Sequence, residues 1–407
     1  MSLSSAWVRR LRRARRLVGA VVILVVGLLF GGHPAWLPGF MRDTFVARNG
    51  NERLVDTVMG TLSRDYYRPV NTTRLLNSGI ESAVAGLGDP YSHYYPPALF
   101  STFQSDMASE ITGIGVQVEL EPVAGGILIE EVIQGSPAAR AGLAHGDVIE
   151  AVNGRELGSL SVAQGAALIE GPAGTTVRLR VREVGRPGSF TVALRRQVVQ
   201  VPVISGRLVT VESEPVAYLR LTQFSENSAS QLRAKLRKLL ADGARGIVLD
   251  LRDNPGGLVS QAVAVASTFI AHGTIVTTRG RSIASTTYRA LGDPLAPSLP
   301  MAVVVDRGTA SSAEIVTAAL QDHHRAVVVG THTYGKGVFQ EIMPLFNGGA
   351  LDFTVGEYFT PAGRNLGGGG VRRGAGVSPN VYVAEPPSSR SSKALEVAEQ
   401  LVAREIR

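Results

Sequence analysis

Residues 301–320 read MAVVVDRGTASSAEIVTAAL. The opening run, MAVVV, is apolar without interruption, as strands buried on both faces are. It passes through the turn DRGTA into a segment of helical spacing, which begins at Ser311–Ser312. The stretch therefore predicts a central strand handing over to a helix. Working outward, VAYLRL (216–221), GIVLDL (246–251) and AVVVG (326–330) have the same strand character. The stretches ASQLRAKLRKLLADG (229–243) and VSQAVAVASTFIAHG (259–273) between them read as helices. Alternation of this kind predicts an α/β core around a mainly parallel sheet.

Upstream the pattern changes. From Gly113 to about Val199 short strands surround one amphipathic helix, SVAQGAALIEG at 161–171, and TTVRLRVRE with SFTVALRRQ reads as a closing hairpin. DVIEAVNG ends in an Asn-Gly turn. Further upstream, Leu54, Val55, Val58, Met59 and Leu62, then Leu75, Leu76, Ile80 and Val84, recur at helical spacing up to the turn Gly88-Asp89-Pro90-Tyr91-Ser92. The fold class expected is thus multidomain α+β, with an N-terminal helical segment, a compact β-rich module and an α/β core. PPSSRSS at 386–392 reads as a linker before a last helix.

The 407 residues carry a net charge of +7. Arg9, Arg10, Arg12, Arg13, Arg15 and Arg16 account for most of that excess, so the body is close to neutral and a nucleic-acid groove is not expected. There are no cysteines, which excludes disulfides, a thiol nucleophile and thiolate metal sites. Behind the arginines lies the uncharged run LVGAVVILVVGLLFGG at 17–32. Basic residues held on the cytoplasmic side would orient the downstream chain outward. The expectation is a retained signal anchor over 17–40 with the body outside the cytoplasm; a cleaved signal peptide is the competing reading.

Hydrolysis by a serine needs a nucleophile, a base and donors for an oxyanion. Ser311 stands at a helix start, where free N–H groups and the helix dipole favour negative charge. The simpler reading is a capping box, since Ser311-Ser312-Ala313-Glu314 fits S-x-x-E. His323 and His324, about 18 Å further along a continuing helix, are out of reach. His332 lies in no recognisable triad motif. Lys336, set between glycines in GTHTYGKGVFQ, can serve as base if burial strips its proton. The same segment imitates a phosphate loop, but Gly337 stands where Ser or Thr is needed and VFQEIMPL reads as a strand. Gly256-Gly257, in LDLRDNPGGL, can turn backbone N–H groups toward a site.

GDPYSHYYPP, GIGVQVE, SPAARAGLAHGDVIEAVNG, LDLRDNPGGL, GTASSAEIVTAAL, TYGKGVFQ and EYFTPAGRNL occur in this order. Together they resemble the C-terminal processing peptidases, or tail-specific proteases, over about residues 51–383. The resemblance implies a PDZ-type domain with a protease core behind it, using Ser311 as nucleophile, Lys336 as base and Gln340 as the residue that orients the lysine. It implies an oxyanion hole from the N–H of Ser312 and of Gly257 or Gly256. The positions after Ser311 read Ser-Ala, where the family reads Ala-Ser. Glu170 stands where several relatives carry a basic residue.

The division expected is a basic tail (1–16), the anchor (17–40), a helical region (43–107), the PDZ-like domain (108–200), the serine protease core (201–385), and a linker with C-terminal helix (386–407). In the PDZ-like domain Gly113, Ile114, Gly115 and Val116 would receive a terminal carboxylate, with the peptide pairing along 116–120. Val116 and Ile114, with Val162, Ala166 and Ile169 of the helix, would line the pocket for the last side chain. Protein or peptide substrates taken by their C-termini, and the membrane through the N-terminal helix, are the expected partners. A homo-oligomer or an adaptor is compatible with the sequence; a metal or cofactor is not expected. The competing function is an inactive PDZ scaffold, against which intact Ser311, Lys336 and Gln340 argue. A lyase of acyl-CoA type on a similar core would have no use for the PDZ module.

Overall fold

A computed structural model describes residues 50–119, 125–384 and 392–407. The basic tail and the anchor expected over 1–40 lie outside these residues, as does most of the linker. Among the described residues no helix is long and apolar enough to cross a membrane. Helices α1 (Gly50–Asp65) and α2 (Thr72–Ala85) open the described chain. Residues from Val84 onward form one compact unit.

The region expected to be helical to 107 contains a strand as well. After the Asp89–Ser92 turn, β1 (His93–Tyr95) precedes α3 (Pro97–Ala108). The two tyrosines suit a strand, and β1 finds its partner far along the chain, in residues 350–352.

The PDZ-like module is entered and left through one antiparallel pair, β2 (Glu110–Gly113) with β9 (Gln197–Gln200). Between them lie β3 (Val116–Val118), β4 (Ile127–Val132), α4 (Pro137–Arg140), β5 (Val148–Val152), β6 (Arg155–Glu156), α5 (Val162–Ile169), β7 (Thr176–Arg182) and β8 (Ser189–Arg195). The sheet order is β3-β4-β5-β7-β8, with β6 on β5. Alternate residues Val177, Leu179 and Val181 of β7 are fully buried against Ile129, Ile149 and Leu157. Ser161 caps α5, and Gln164 completes the box.

The core sheet runs β10 (Ile204–Val211), β11 (Glu214–Leu221), β12 (Gly246–Asp250), β15 (Met301–Val305), β16 (Val327–Gly330) and β19 (Val381–Tyr382), in that order. Only the β10–β11 pairing is antiparallel. The runs read as doubly buried strands are so because alternate residues serve opposite layers. Ile247, Leu249, Met301, Val303 and Val305 face α6 (Ser228–Ala241), α7 (Val259–Ser267) and α8 (Ser312–Asp322). Val248, Ala302 and Val304 face the C-terminal α9 (Lys393–Ile406).

A second sheet, not anticipated from the sequence, is antiparallel. Strands β13 (Thr274–Gly280), β14 (Thr286–Arg289), β17 (Val338–Pro344) and β18 (Ala350–Phe359) join β1 in the order β1-β18-β13-β14, with β17 on β18. The last turn of α8 ends at His323, whose Nε2 meets the Thr274 carbonyl at 2.7 Å, so neither it nor His324 approaches Ser311.

Candidate active site

Three loops at the C-terminal ends of core strands carry Gly256, Gly257, Ser311 and Lys336, and strand β17 of the second sheet carries Gln340. Ser311, Gly256, Gly257, Lys336 and Gln340 line one cleft of ≈ 520 Å³, with Phe103, Met107, Tyr288, Phe339 and Asp352. This is the end of a parallel sheet where ligand sites gather.

Ser311 has φ 54° and ψ −118°, a sparsely populated conformation for a residue with a side chain. Strain of this kind persists where surrounding bonds hold it. Here the Ser311 N–H donates to Glu314 Oε2 at 2.9 Å, and the Ile315 N–H donates to the Ser311 carbonyl. The two serines separate clearly. Ser312 is fully buried and its Oγ donates to the Gly257 carbonyl at 2.7 Å. Ser311 is half-buried and faces the cleft.

The glycine loop is held by Asn254, also fully buried. Its Nδ2 donates to the Leu221 carbonyl, and its Oδ1 accepts the Gly256 N–H at 2.9 Å. That second bond corrects one expectation, because the Gly256 N–H is already used and is not a free oxyanion donor. Gly257 and Ser312 keep N–H groups with no protein acceptor among the described residues. Glycine is required at both loop positions. At Gly256, φ +99°, an added Cβ would lie 2.7 Å from Ser311 Cβ and 2.9 Å from Ser312 N; at Gly257, φ +134°, it would lie 2.3 Å from the Phe224 carbonyl oxygen.

Lys336 is half-buried, and its Nζ donates to Gln340 Oε1 at 2.8 Å. Gln340 Nε2 in turn donates to Thr354 Oγ1 at 3.0 Å. Burial pushes the lysine pKa below its usual value, against the opposing pull of Asp352, Asp89, Tyr334 and Glu314. Asp352, in β18, is itself pushed up by burial, and its Oδ1 has no hydrogen-bond partner among the described residues. Lys336 Nζ and Ser311 Oγ share the cleft without a hydrogen bond between them.

Glu314, which the sequence offered as half of a capping box, does more. It is fully buried. One oxygen accepts from Thr333 Oγ1 (2.6 Å) and Gly335 N (2.8 Å); the other accepts from Ser311 N and Lys336 N (3.0 Å). Burial pushes its pKa up, and these bonds oppose that. Every group around the two oxygens is a donor, so the cage fits the carboxylate form. The S-x-x-E pattern was the available signal for Glu314; Asn254 and Thr354 had none beyond their loop and strand.

In the PDZ-like module a cleft of ≈ 100 Å³ is lined by Gly113, Ile114, Gly115, Val116, Ala166, Ile169 and Glu170, with Ile111, Thr112 and Val118. Val162 is not among them, although it packs against the same module core as Val116. Gly115, φ +78°, is also a close contact, since a Cβ there would lie 2.2 Å from Ser136 Cβ. The proposed peptide-pairing strand spans 116–118; residue 120 lies outside the described residues.

Comparison with known proteins places these features. The family model for peptidase family S41 matches residues 215–383, and that for the PDZ domain matches residues 128–183. A carboxy-terminal-processing protease of Bartonella bacilliformis is 35% identical over 316 residues, covering 75% of this chain and 70% of that one. A carboxyl-terminal-processing protease of Synechocystis sp. is 34% identical over 332 residues, covering 80% and 75%. Among solved structures, a putative S41 protease from Bacteroides fragilis shares the fold, with a TM-score of 0.52 and 20% identity over 84% of this chain and 92% of that one. With relatives of this identity spanning most of both chains, this chain belongs to peptidase family S41, as a serine-type carboxyl-terminal-processing protease that carries a PDZ domain.

Proposed function

We propose that the protein is an endopeptidase acting outside the cytoplasm, which grips substrate tails in its PDZ domain and cuts them by Ser311/Lys336 acyl-enzyme catalysis. The observation that carries this reading is the gathering of Ser311, Lys336, Gln340 and Gly257 around one cleft, with the N–H groups of Gly257 and of Ser312, next in the chain to Ser311, unclaimed among the described residues. Neutral Lys336 takes the Ser311 Oγ proton as Oγ attacks the scissile carbonyl. The N–H groups of Ser312 and Gly257 receive the oxyanion. The ammonium returns the proton to the leaving amine, and water then hydrolyses the ester. The lysine swings on its aliphatic stem from Gln340 toward Ser311 for this step. Gln340 holds the amine between turnovers.

Tail recognition rests on the small cleft beside Gly113–Val116, whose mouth suits strand addition and a short apolar last residue. The extracytoplasmic placement rests on the arginines ahead of the apolar run at 17–32. The test is a panel of model proteins differing only in their last residues, with free or amidated C-termini, offered to wild type and Ser311→Ala. Cleavage by wild type alone, sensitive to the last residues and weakened by amidation, is expected. Equal cleavage of free and amidated forms below saturation contradicts tail recognition. Fractionation that recovers the intact chain as soluble cytoplasmic protein contradicts the placement.

A further inference from the structure

The Asp89–Ser92 turn lies far from Ser311 in sequence, yet it builds one wall of the lysine site. Asp89 Oδ1 accepts the Tyr91 N–H at 3.0 Å, and Oδ2 accepts Ser92 Oγ–H at 2.6 Å. Ser92 Oγ accepts the Thr354 N–H at 3.1 Å. Thr354 Oγ1 holds Gln340, which holds Lys336 Nζ. The circuit closes on itself, because Nζ stands 4.5 Å from the centroid of the Tyr91 ring. The ring cannot turn freely: Tyr91 Oη is 3.0 Å from Tyr334 Oη, which accepts from Arg373 Nε at 3.2 Å.

We propose that Tyr91 is a positioning residue for Lys336, its ring face seating the amine opposite Gln340 and favouring the protonated form until Ser311 is engaged. The proposal rests on the reading of Lys336 as general base. An ammonium over an aromatic face is attracted by the negative face of the ring. Other groups act on the same amine. Asp352 of β18, Asp89 of the turn, Tyr334 and Glu314 of α8 all favour its charge, and burial opposes it. Tyr334 is pulled down by its bond to Tyr91 and by Arg373, while Tyr91 is pushed up to about 12 by burial and by Tyr334, so the Tyr91 ring stays neutral.

The sign of one measurement separates this role from simple packing. Lost packing lets water reach Nζ and raises the lysine pKa; a lost ring face lowers it. The chain has four lysines, Lys235, Lys238, Lys336 and Lys393, so the Lys336 amine can be followed by nitrogen-15 NMR and assigned with Lys336→Arg. In a Ser311→Ala background, Tyr91→Leu is expected to lower the Lys336 pKa by roughly 0.4–1.5 units. Tyr91→Phe keeps the ring face and loses only the bond to Tyr334, so a smaller downward shift than that of Tyr91→Leu is expected. With Ser311 intact, Tyr91→Leu lowers kcat, leaves KM unchanged and moves the ascending limb of the pH profile to lower pH. Should Tyr91→Leu fail to fold, pentafluorophenylalanine at position 91 keeps the shape while reversing the charge of the face, and the same downward shift is expected. An unchanged or raised Lys336 pKa in Tyr91→Leu or in the pentafluorophenylalanine variant overturns the proposal. That outcome is distinct from failure of the base assignment, in which Lys336→Ala stays active while the titration is unaffected.

Discussion

The carboxylate of Glu314 accepts the backbone N–H of Lys336 at 3.0 Å. The same oxygen accepts the N–H of Ser311, so one buried side chain fixes the spacing between the proposed nucleophile and base. Glu314→Gln places an amide NH2 against at least one backbone N–H donor, that of Gly335 when the NH2 faces Thr333 Oγ1, and those of Ser311 and Lys336 in the other orientation. Each buried donor left unsatisfied costs about 1–3 kcal/mol, so a loss of more than about 1 kcal/mol in urea unfolding is expected, with activity falling further than stability explains. A variant within about 1 kcal/mol of wild type would show the cage to be dispensable.

Among the described residues, Gln340 is the only side chain that accepts a hydrogen bond from the Lys336 amine, at 2.8 Å. A hydrogen bond to a charged group contributes about 1.5–3 kcal/mol, so Gln340→Ala should lower kcat roughly 10–100-fold with little change in KM. Gln340→Glu tests the electrostatics. Burial depresses the Lys336 pKa, so wild-type activity should rise with pH through a value below the usual lysine range. A carboxylate at position 340 favours the ammonium and should move that ascending limb to higher pH. A limb that stays still, or moves down, contradicts Lys336 as the titrating base.

How much of this was legible in the sequence depends on whether a residue acts through pattern or through contact. The parallel sheet was readable because its strands are buried on both faces and therefore unbroken apolar runs, as in GIVLDL and MAVVV. The second sheet was not, since β14 (TTYR) is wholly exposed and β1 (HYY) is three residues long, too little for a period to appear. Ser311, Lys336 and Gln340 were singled out through motifs, and they line one cleft. Glu314 looked like a local cap because its partners at 333–336 are distant in sequence. The Gly256 N–H looked free because nothing in NPGG tells that Asn254 Oδ1 has claimed it.

Gly256 shapes the site even without donating. Gly256→Ala would crowd both Ser311 and the Ser312 nitrogen, since the added Cβ lies 2.7 Å from Ser311 Cβ and 2.9 Å from Ser312 N. Loss of an oxyanion donor lowers kcat about 10²–10³-fold, and a loss of that order is expected from steady-state kinetics. Activity within a factor of about two of wild type would place the oxyanion elsewhere.

Glu170 lines the cleft proposed for the substrate tail and is exposed. Its charge opposes an incoming terminal carboxylate. Exposed pairs of charges interact by about 0.2–1 kcal/mol, so Glu170→Gln should tighten binding of a free-acid peptide by up to about fivefold, less at high salt. An amidated peptide should show no gain. Equal gains for both peptides, read by calorimetry, would mean that the last carboxylate is not seated there.

The central claim, that Ser311 is the nucleophile and Lys336 activates it, is tested most directly by acylation. Wild type, Ser311→Ala, Ser312→Ala and Lys336→Ala are each treated with a fluorophosphonate serine reagent, and the adduct is located and timed by mass spectrometry. The account predicts a single adduct on Ser311 in wild type and in Ser312→Ala, none in Ser311→Ala, and a rate in Lys336→Ala reduced to background. An adduct on Ser312, or equal labelling rates with and without Lys336, would contradict it.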